Sequence, residues 1–382
     1  MPADIEIDVC TGISDAITDY LLKAQDFTPG EYYGSFWSEK AYHGPLLDYH
    51  AGGAHHHRGC GSAALALWLT GRKNDDSKMM HRAELAFDWL AARQHERGGW
   101  FEIQNNEKPS DWEETGLDEI STIATSFVIH GLGSALLNGL PPKKSYKDCL
   151  LKAGLWFLSI ECPAGSGIFP HHERSPYDTL NANLHSVESL VLIATVLRDV
   201  YKQNVNLFQQ GAKRGLTHTM TLQWENGCMP YRAGHGVTIN YTSLVLWCLL
   251  NADEVIPARF KEASEAFWPD AGKIRLAISR ACEFLRNCVN PDGSMKWEEY
   301  ETSSAKYNMW TYFITMNVLL RVGGDENIRT AKQLLNFIES KITASGLPPM
   351  RDRGEEITEC AFMQADILLF LLPVGRQRPN KE

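Results

Sequence analysis

The chain has 382 residues, 44% of them hydrophobic, and a formal net charge of −10 at pH 7. This acidity argues against nucleic acid and against an anionic membrane surface as partners. The length allows two or three domains, but no linker or low-complexity tract divides the sequence, so we expect a single domain over residues 1–382.

The N-terminus and the cysteines indicate the compartment. The first residues show neither a basic start nor an apolar run, and no stretch approaches the length of a membrane span. The nine cysteines are scattered, odd in number and without a Cys-x-x-Cys pair, which is typical of reduced core thiols. We therefore expect a cytoplasmic protein without a membrane span.

Twelve amphipathic or apolar runs alternate along the chain, separated by six copies of a short phrase, glycine-x-aromatic or glycine-x-apolar. Runs that mix apolar and charged residues precede the glycines, at 13–25, 80–94, 147–161, 210–223, 273–289 and 328–342. Runs richer in Ala, Leu, Val and aromatic residues follow them, at 57–69, 120–137, 180–197, 239–250, 307–320 and 357–372. The glycines are Gly34, Gly98, Gly167, Gly227, Gly293 and Gly346.

Such a period of two helices predicts six helical hairpins, the content of an all-α (α/α)6 toroid with an outer and an inner ring. The second hairpin carries Trp89 and Gln94 at the end of its outer run, then Gly98 and Trp100. This segment resembles the QW repeat of the terpenoid cyclase, protein prenyltransferase and pectate lyase-like toroids. In that pattern the glutamine bonds the backbone of the next turn and the tryptophan packs on the helix end.

Candidate functional residues are concentrated where the inner helices begin. At the first start, Arg58 offers a permanent cation to a substrate anion. Adjacent side chains on a helix diverge, so we favour a polar loop with His55 and His56 as substrate-binding residues. A metal site stays open there, built from His43, Asp48, His50 and one histidine of 55–57.

The second start is acidic at Glu113, Glu114 and Asp118, which helix capping largely explains, although a general acid or base there stays open. Aromatic residues near it, Trp100 and Trp112, are candidates for substrate contacts.

The third start places Asn181, Asn183, His185 and Glu188 within two turns of a helix that should be buried. Asn181, His185 and Glu188 share one face. Buried polar groups need partners or a wet cavity, so this face is either a satisfied core His–Glu pair or part of the site. The later starts add further candidates, Arg232, Asn240, Tyr241, Tyr307, Asn308 and Trp310.

These residue types suit β-elimination or epimerisation at a uronic acid, where a proton is removed next to a carboxylate. Six inner helix N-termini aimed at one cavity would also favour an anionic substrate. The order Asn183, His185, Gly227 to Pro230, Arg232 and Tyr241 resembles the toroidal alginate lyases. That resemblance implies that Asn183 and Arg232 hold the carboxylate, His185 is the base and Tyr241 the acid. The predicted enzyme is a lyase on an acidic oligosaccharide or polysaccharide, without a cofactor or metal.

Three alternatives remain from the sequence. A terpenoid-type cyclase is compatible with the QW repeat, but the Asp-x-Asp-Asp segment of that family is absent, so Glu113, Glu114 or Asp118 would have to serve as acids. A six-hairpin glycoside hydrolase needs two carboxylates, for which Asp178 with Glu113 or Glu188 could serve. A non-catalytic binding toroid would carry the same repeat.

Overall fold

The computed structural model describes residues 7–38, 54–104, 119–203, 206–259, 271–303, 306–353, 358 and 360–372. Over these ranges the regular secondary structure consists of helices and one antiparallel pair of two-residue strands. In chain order the elements are α1 (Ile7–Ala24), β1 (Trp37–Ser38), β2 (Ala54–His55), α2 (His57–Asn74), α3 (Ser77–Ala92), α4 (Thr122–Leu137), α5 (Lys144–Ser159), α6 (Leu180–Asp199), α7 (Asn206–Thr219), α8 (Ile239–Arg259), α9 (Ala271–Asn287), α10 (Trp297–Tyr300), α11 (Met309–Val322), α12 (Asp325–Glu339) and α13 (Ala361–Leu371).

Six of the helices form a closed inner ring. Helix α2 packs on α4, α4 on α6, α6 on α8, α8 on α11, α11 on α13, and α13 returns to α2. These helices are buried on nearly all sides; every residue of α6 from position 180 to 197 is buried. Helices α1, α3, α5, α7, α9 and α12 bury one face each and form the outer layer, which confirms the predicted (α/α)6 toroid and its two layers.

The predicted outer helices start and end too late in the sequence, and in three of them the predicted last residue is a glutamine that follows the helix. Gln94 lies beyond the end of α3, and its Nε2 donates to the carbonyls of Gly98 (2.7 Å) and Cys149 (2.9 Å). Gln25 and Gln223 make the same pair of bonds in the first and fourth hairpins. Each glutamine thus joins its own turn to the next outer helix, which confirms the predicted bond and extends it.

The repeat glycines mark the places where each turn packs against the following outer helix. All six have φ between 80° and 114°, a region that disfavours side chains. A Cβ on Gly227 would overlap the carbonyl oxygen of Arg280 in α9. A Cβ on Gly346 would lie 3.0 Å from the Cβ of Ala16 in α1, where the last hairpin closes on the first.

We expect Gly227→Ala to lower the free energy of unfolding by about 2–5 kcal/mol, since it combines φ strain with a clash against a fixed backbone. Gly234→Ala is the matched control, because Gly234 has a φ of 79° but no atom within 4 Å of an added Cβ. We expect Gly234→Ala to lower the free energy of unfolding by about 1–2 kcal/mol. Urea unfolding of the two variants measures the difference, and equal losses would show that close approach is not the constraint.

Among the described helices, α6 is long and apolar enough to span a membrane by length and hydropathy alone. All of that apolar stretch is buried inside the ring. A core helix of a folded ring has the same composition, so this stretch is weak support for a span.

Candidate active site

A cavity lies at the end of the ring where the inner helices begin, as the sequence predicted. Each of the six inner helices contributes residues from its first turns: Arg58, Ile123, Asn181, Asn240, Tyr241, Leu244, Trp310, Phe362 and Met363. Loop residues complete the wall: Glu102, His171, Tyr231 and Asn308. All six helices therefore point their positive N-terminal ends toward one polar cavity.

Three of the loop residues occupy the same position in the repeat. Glu102, His171 and Tyr231 each lie four residues after a repeat glycine, at Gly98, Gly167 and Gly227. The residue that follows pairs with the preceding inner-helix start in two of these copies, as Ile103 with His56 and Arg232 with Thr179. Glu102, His171 and Tyr231 were not among the candidate site residues predicted from the sequence. Their common distance from a repeat glycine is the signal that could have identified them.

The Arg58 side chain is held in place by its neighbours, and a carboxylate balances its charge. Its Nη2 donates to Oδ2 of Asp366 at 2.7 Å, and its guanidinium lies over the rings of Phe127 (4.2 Å) and Phe362 (5.0 Å). Asp366 also accepts from the Ser62 hydroxyl and from the indole of Trp310. The expectation that Arg58 attracts a substrate anion needs correction, since the Asp366 carboxylate balances its charge.

Glu102, a residue of the cavity wall, keeps one carboxylate oxygen without a hydrogen-bond partner among the described residues. The residue is 4% exposed, and its Oε1 accepts from the Ser121 hydroxyl, so the oxygen in question is Oε2. Burial raises the pKa of the Glu102 carboxyl, against the opposing effects of the Ser121 bond and the Arg58 charge. Oδ1 of Asn181 is likewise buried without a partner in the described part of the chain.

The pKa of His171 is shifted in the opposite direction to that of Glu102. Burial lowers the pKa of the His171 imidazole to about 4, and the charge of neighbouring His172 adds to the effect. His171 is therefore neutral near pH 7 and able to accept a proton. Pairs of groups whose environments push their pKa values apart are typical of acid and base roles.

The structure brings six of the predicted site residues to the cavity: Arg58, Asn181, Asn240, Tyr241, Asn308 and Trp310. Asn240 accepts from Thr311 at 2.7 Å, and Asn308 caps α11 by accepting from the Trp310 amide at 3.0 Å. The Tyr241 ring lies 4.4 Å from that of Tyr231. These contacts hold the wall in place.

Asn183 and His185 are not in the cavity wall. Asn183 is fully buried and uses its amide on the backbone of Phe169 and Gly215 and on Thr219. His185 is 2% exposed beside Cys248, and burial lowers the pKa of its imidazole well below the ordinary value. The carboxylate-binding and base roles implied by the alginate lyase resemblance therefore do not fit their positions, and Tyr241 alone of that quartet lines the cavity.

Glu188 forms a buried pair with a histidine, which was the alternative to a place in the site. The partner is His130 on α4. His130 Nδ1 donates to Glu188 at 2.6 Å and Asn251 donates to the same oxygen at 3.0 Å. Donor atoms of His185, Glu188 and Cys248 lie within 4.8 Å of one another. The Cys248 sulfur is 3.4 and 3.8 Å from the two ring nitrogens, so it lies beside the ring and along neither lone pair. These donors do not converge on one point as metal ligands must.

Four further predicted contacts lie away from the cavity wall. His55 is buried against Tyr32 (4.1 Å) near Asp26, and His56 lies beside Phe362. Trp100 is a core residue whose indole donates to Leu90, as the QW pattern requires. Tyr307 is half-buried under the Arg353 guanidinium and donates to Glu298.

Some predicted residues lie outside the described residues: His43, Asp48, His50, Trp112, Glu113, Glu114 and Asp118. Arg232 follows the wall residue Tyr231 in the chain, and its guanidinium lies 4.0 Å from the centre of the Tyr177 ring.

Comparison with known proteins shows the fold. No protein-family model and no curated protein sequence matches the chain. Solved structures do match over almost its whole length. A cellobiose 2-epimerase from Bacillus thermoamylovorans B4167 gives a TM-score of 0.66 at 12% identity, covering 95% of this chain and 97% of its own. A D-mannose isomerase gives 0.66 at 13%, covering 97% and 99%. An unsaturated glucuronyl hydrolase specific for heparin gives 0.60 at 12%, covering 95% of each chain.

The toroid is thus shared with enzymes of carbohydrate chemistry, and at such identities the likeness shows the fold alone. The QW pattern remains a local resemblance.

Proposed function

We propose that the protein is a carbohydrate isomerase or epimerase that transfers a proton at the carbon next to a sugar carbonyl. The observation that carries this proposal is the pairing of Glu102 and His171 in one cavity with Arg58, with pKa values shifted in opposite directions. The folds of a cellobiose 2-epimerase and a D-mannose isomerase support the same class of chemistry.

In the proposed reaction, neutral His171 accepts the proton from the carbon next to the carbonyl. The electrons of that C–H bond form a C=C bond, and the carbonyl oxygen becomes an oxyanion. Arg58, held by Asp366, donates a hydrogen bond to that oxygen.

The carbon that finally receives a proton decides between an epimer and the isomeric ketose. For epimerisation, the C=C electrons form a new C–H bond at the same carbon with the proton of the Glu102 carboxyl and the carbonyl re-forms; His171 then loses its proton to solvent and Glu102 regains one. For isomerisation, the proton goes to the former carbonyl carbon, the oxyanion is protonated, and the neighbouring hydroxyl loses its proton to become the new carbonyl.

A neutral sugar fits this cavity better than a uronic acid. Arg58 is the one permanent cation among the described wall residues, and Asp366 compensates its charge, so little net positive charge is left to hold a substrate carboxylate. The amide side chains of Asn181, Asn240 and Asn308 in the wall are neutral groups of the kind that bind sugar hydroxyls. This departs from the anionic oligosaccharide expected from the sequence.

The lyase predicted from the sequence remains the second candidate, because elimination begins with the same proton abstraction and Tyr241 stands in the cavity as a possible acid. For the hydrolase alternative, Glu102 is the one carboxylate among the described wall residues, and two are needed. A cyclase cavity would be more apolar than this one.

Solvent-proton exchange tests the proposal. Cellobiose, glucose and mannose are incubated with the enzyme in D2O, and proton NMR follows the signal at C2. Loss of that signal with appearance of an epimer or ketose is the expected result. Ultraviolet absorbance of an unsaturated product from uronate oligosaccharides, with no exchange in neutral sugars, would favour the lyase instead.

The activity should fall on the acid side with an apparent pKa of about 4. The His171 pKa is lowered, so its neutral form persists as the pH falls and is lost only near that value. The pH dependence of kcat/KM reports this free-enzyme group. An acid limb near pH 6.5, the ordinary value for histidine, would contradict the assignment of His171.

A further inference from the structure

We propose that a ridge at the cavity mouth, formed by Tyr177, Tyr231, Arg232 and His235 and here named the aromatic ledge, binds a second sugar unit. The substrate would then be a disaccharide or a longer oligosaccharide whose reacting unit occupies the cavity. This inference rests on the proposed function for the identity of the reacting unit.

The ledge is a continuous series of contacts from the cavity to solvent. Within the cavity wall, the Tyr241 and Tyr231 rings are 4.4 Å apart, and Tyr231 lies 5.6 Å from His235 in an edge arrangement. Arg232 Nε donates to His235 Nε2, and the guanidinium lies 4.0 Å from the centre of the Tyr177 ring. Tyr177 is 52% exposed, so an aromatic surface extends outward from the cavity wall.

The backbone of the ledge is anchored to the site. Arg232 pairs with Thr179 just before α6, and the Leu180 amide donates to the Tyr231 carbonyl at 2.9 Å. The His235 amide donates back to the Arg232 carbonyl at 3.0 Å, closing a tight turn. The next residue of α6, Asn181, lines the cavity. The ledge is therefore joined to the cavity wall by backbone hydrogen bonds. A ligand that spans both would bind without the cost of ordering this segment.

The chemistry of the ledge fits a neutral pyranose. The C–H groups on one face of a pyranose pack on an aromatic ring, while its hydroxyls need polar partners at the rim. The guanidinium covers one face of Tyr177, and the high exposure of that residue leaves ring surface for a ligand. Arg232 and His235 supply nitrogen groups beside it. Arg232 thereby gains a role in binding the distal sugar in place of the predicted carboxylate contact.

The test compares Tyr177→Ala with wild-type full-length protein in the exchange assay, using cellobiose and glucose. We expect a roughly tenfold loss of kcat/KM for cellobiose, carried by KM, and less than about a twofold change for glucose. Tyr177→Phe keeps the ring and should restore the wild-type values. Tyr33→Ala, at another exposed tyrosine (44%) that does not line the cavity, should change neither substrate.

An equal loss of kcat/KM for the two sugars in Tyr177→Ala, or no loss for cellobiose, would overturn the proposal that the ledge binds a second sugar unit. If wild-type protein exchanges neither sugar, the proposed function fails, and calorimetric binding of cellobiose then tests the ledge by itself. Weaker cellobiose binding in Tyr177→Ala with unchanged binding in Tyr177→Phe would support it, and identical affinities in wild type and Tyr177→Ala would overturn it.

Discussion

Replacing His171 with glutamine should lower kcat/KM for proton exchange by about 10²–10⁴-fold, the usual contribution of a positioned general base. Glutamine preserves polarity and approximate size, so the cavity wall should persist. Because His171 is neutral at pH 7, the wild-type side chain is ready to accept a proton, and glutamine cannot replace that capacity. Steady-state exchange rates by NMR and urea unfolding of the same preparation separate loss of chemistry from loss of fold.

The adjacent histidine is the matched control. His172 does not line the cavity, and its Nδ1 donates to Glu119 at 2.9 Å. We expect His172→Gln to change kcat/KM by less than about threefold, since the residue lies outside the cavity wall and a glutamine amide can still donate to Glu119. His185→Ala should reduce stability through a core cavity without removing the proton acceptor. Full activity in His171→Gln, or an equal loss in His172→Gln, would remove His171 from the mechanism.

The toroid could be predicted from sequence because its defining contacts recur. A glycine is required wherever the turn of a hairpin meets the next outer helix, and three of the copies add a capping glutamine that joins the same two elements. The amphipathic and apolar runs then assign the two layers. Helix ends were less accurate, since a capping residue such as Gln94 continues the pattern of polar residues past the last helical one.

The site could be predicted only where geometry follows directly from helix starts. The first turns of the inner helices line the cavity, and Arg58, Asn181 and Trp310 lie there. Periodicity cannot say which neighbour a polar residue meets on a helix that is buried on every side. Asn183 therefore contacts α7 and its surroundings, where the sequence pattern allowed a substrate.

Glu102 and His171 belong to loops, where no helical period exists to orient a side chain. Their common distance from the repeat glycine is a signal that only the aligned copies reveal. The shifts of their pKa values depend on burial and on neighbours from other hairpins, among them Arg58 beside Glu102. Such long-range contacts are not encoded in any local pattern.

Asp366→Asn should have the largest combined effect on stability and activity. The Arg58 and Asp366 side chains are only 15% and 0% exposed, so the substitution leaves a nearly buried guanidinium without its counter-ion. Breaking such a pair costs about 3–5 kcal/mol of unfolding free energy. Asp366 also accepts from Ser62 and Trp310, so donors on two inner helices, α2 and α11, lose a shared acceptor of full negative charge.

The same change should lower kcat by about 10²-fold or more, because Arg58 is the proposed donor to the developing oxyanion and Asp366 is the residue that positions it. A double-mutant cycle with Arg58→Gln separates the two effects. The double variant holds two neutral amides and should regain much of the stability lost in Asp366→Asn, while its activity stays low. Recovery of activity together with stability would show that Asp366 acts only on the fold, and that Arg58 has no part in the chemistry.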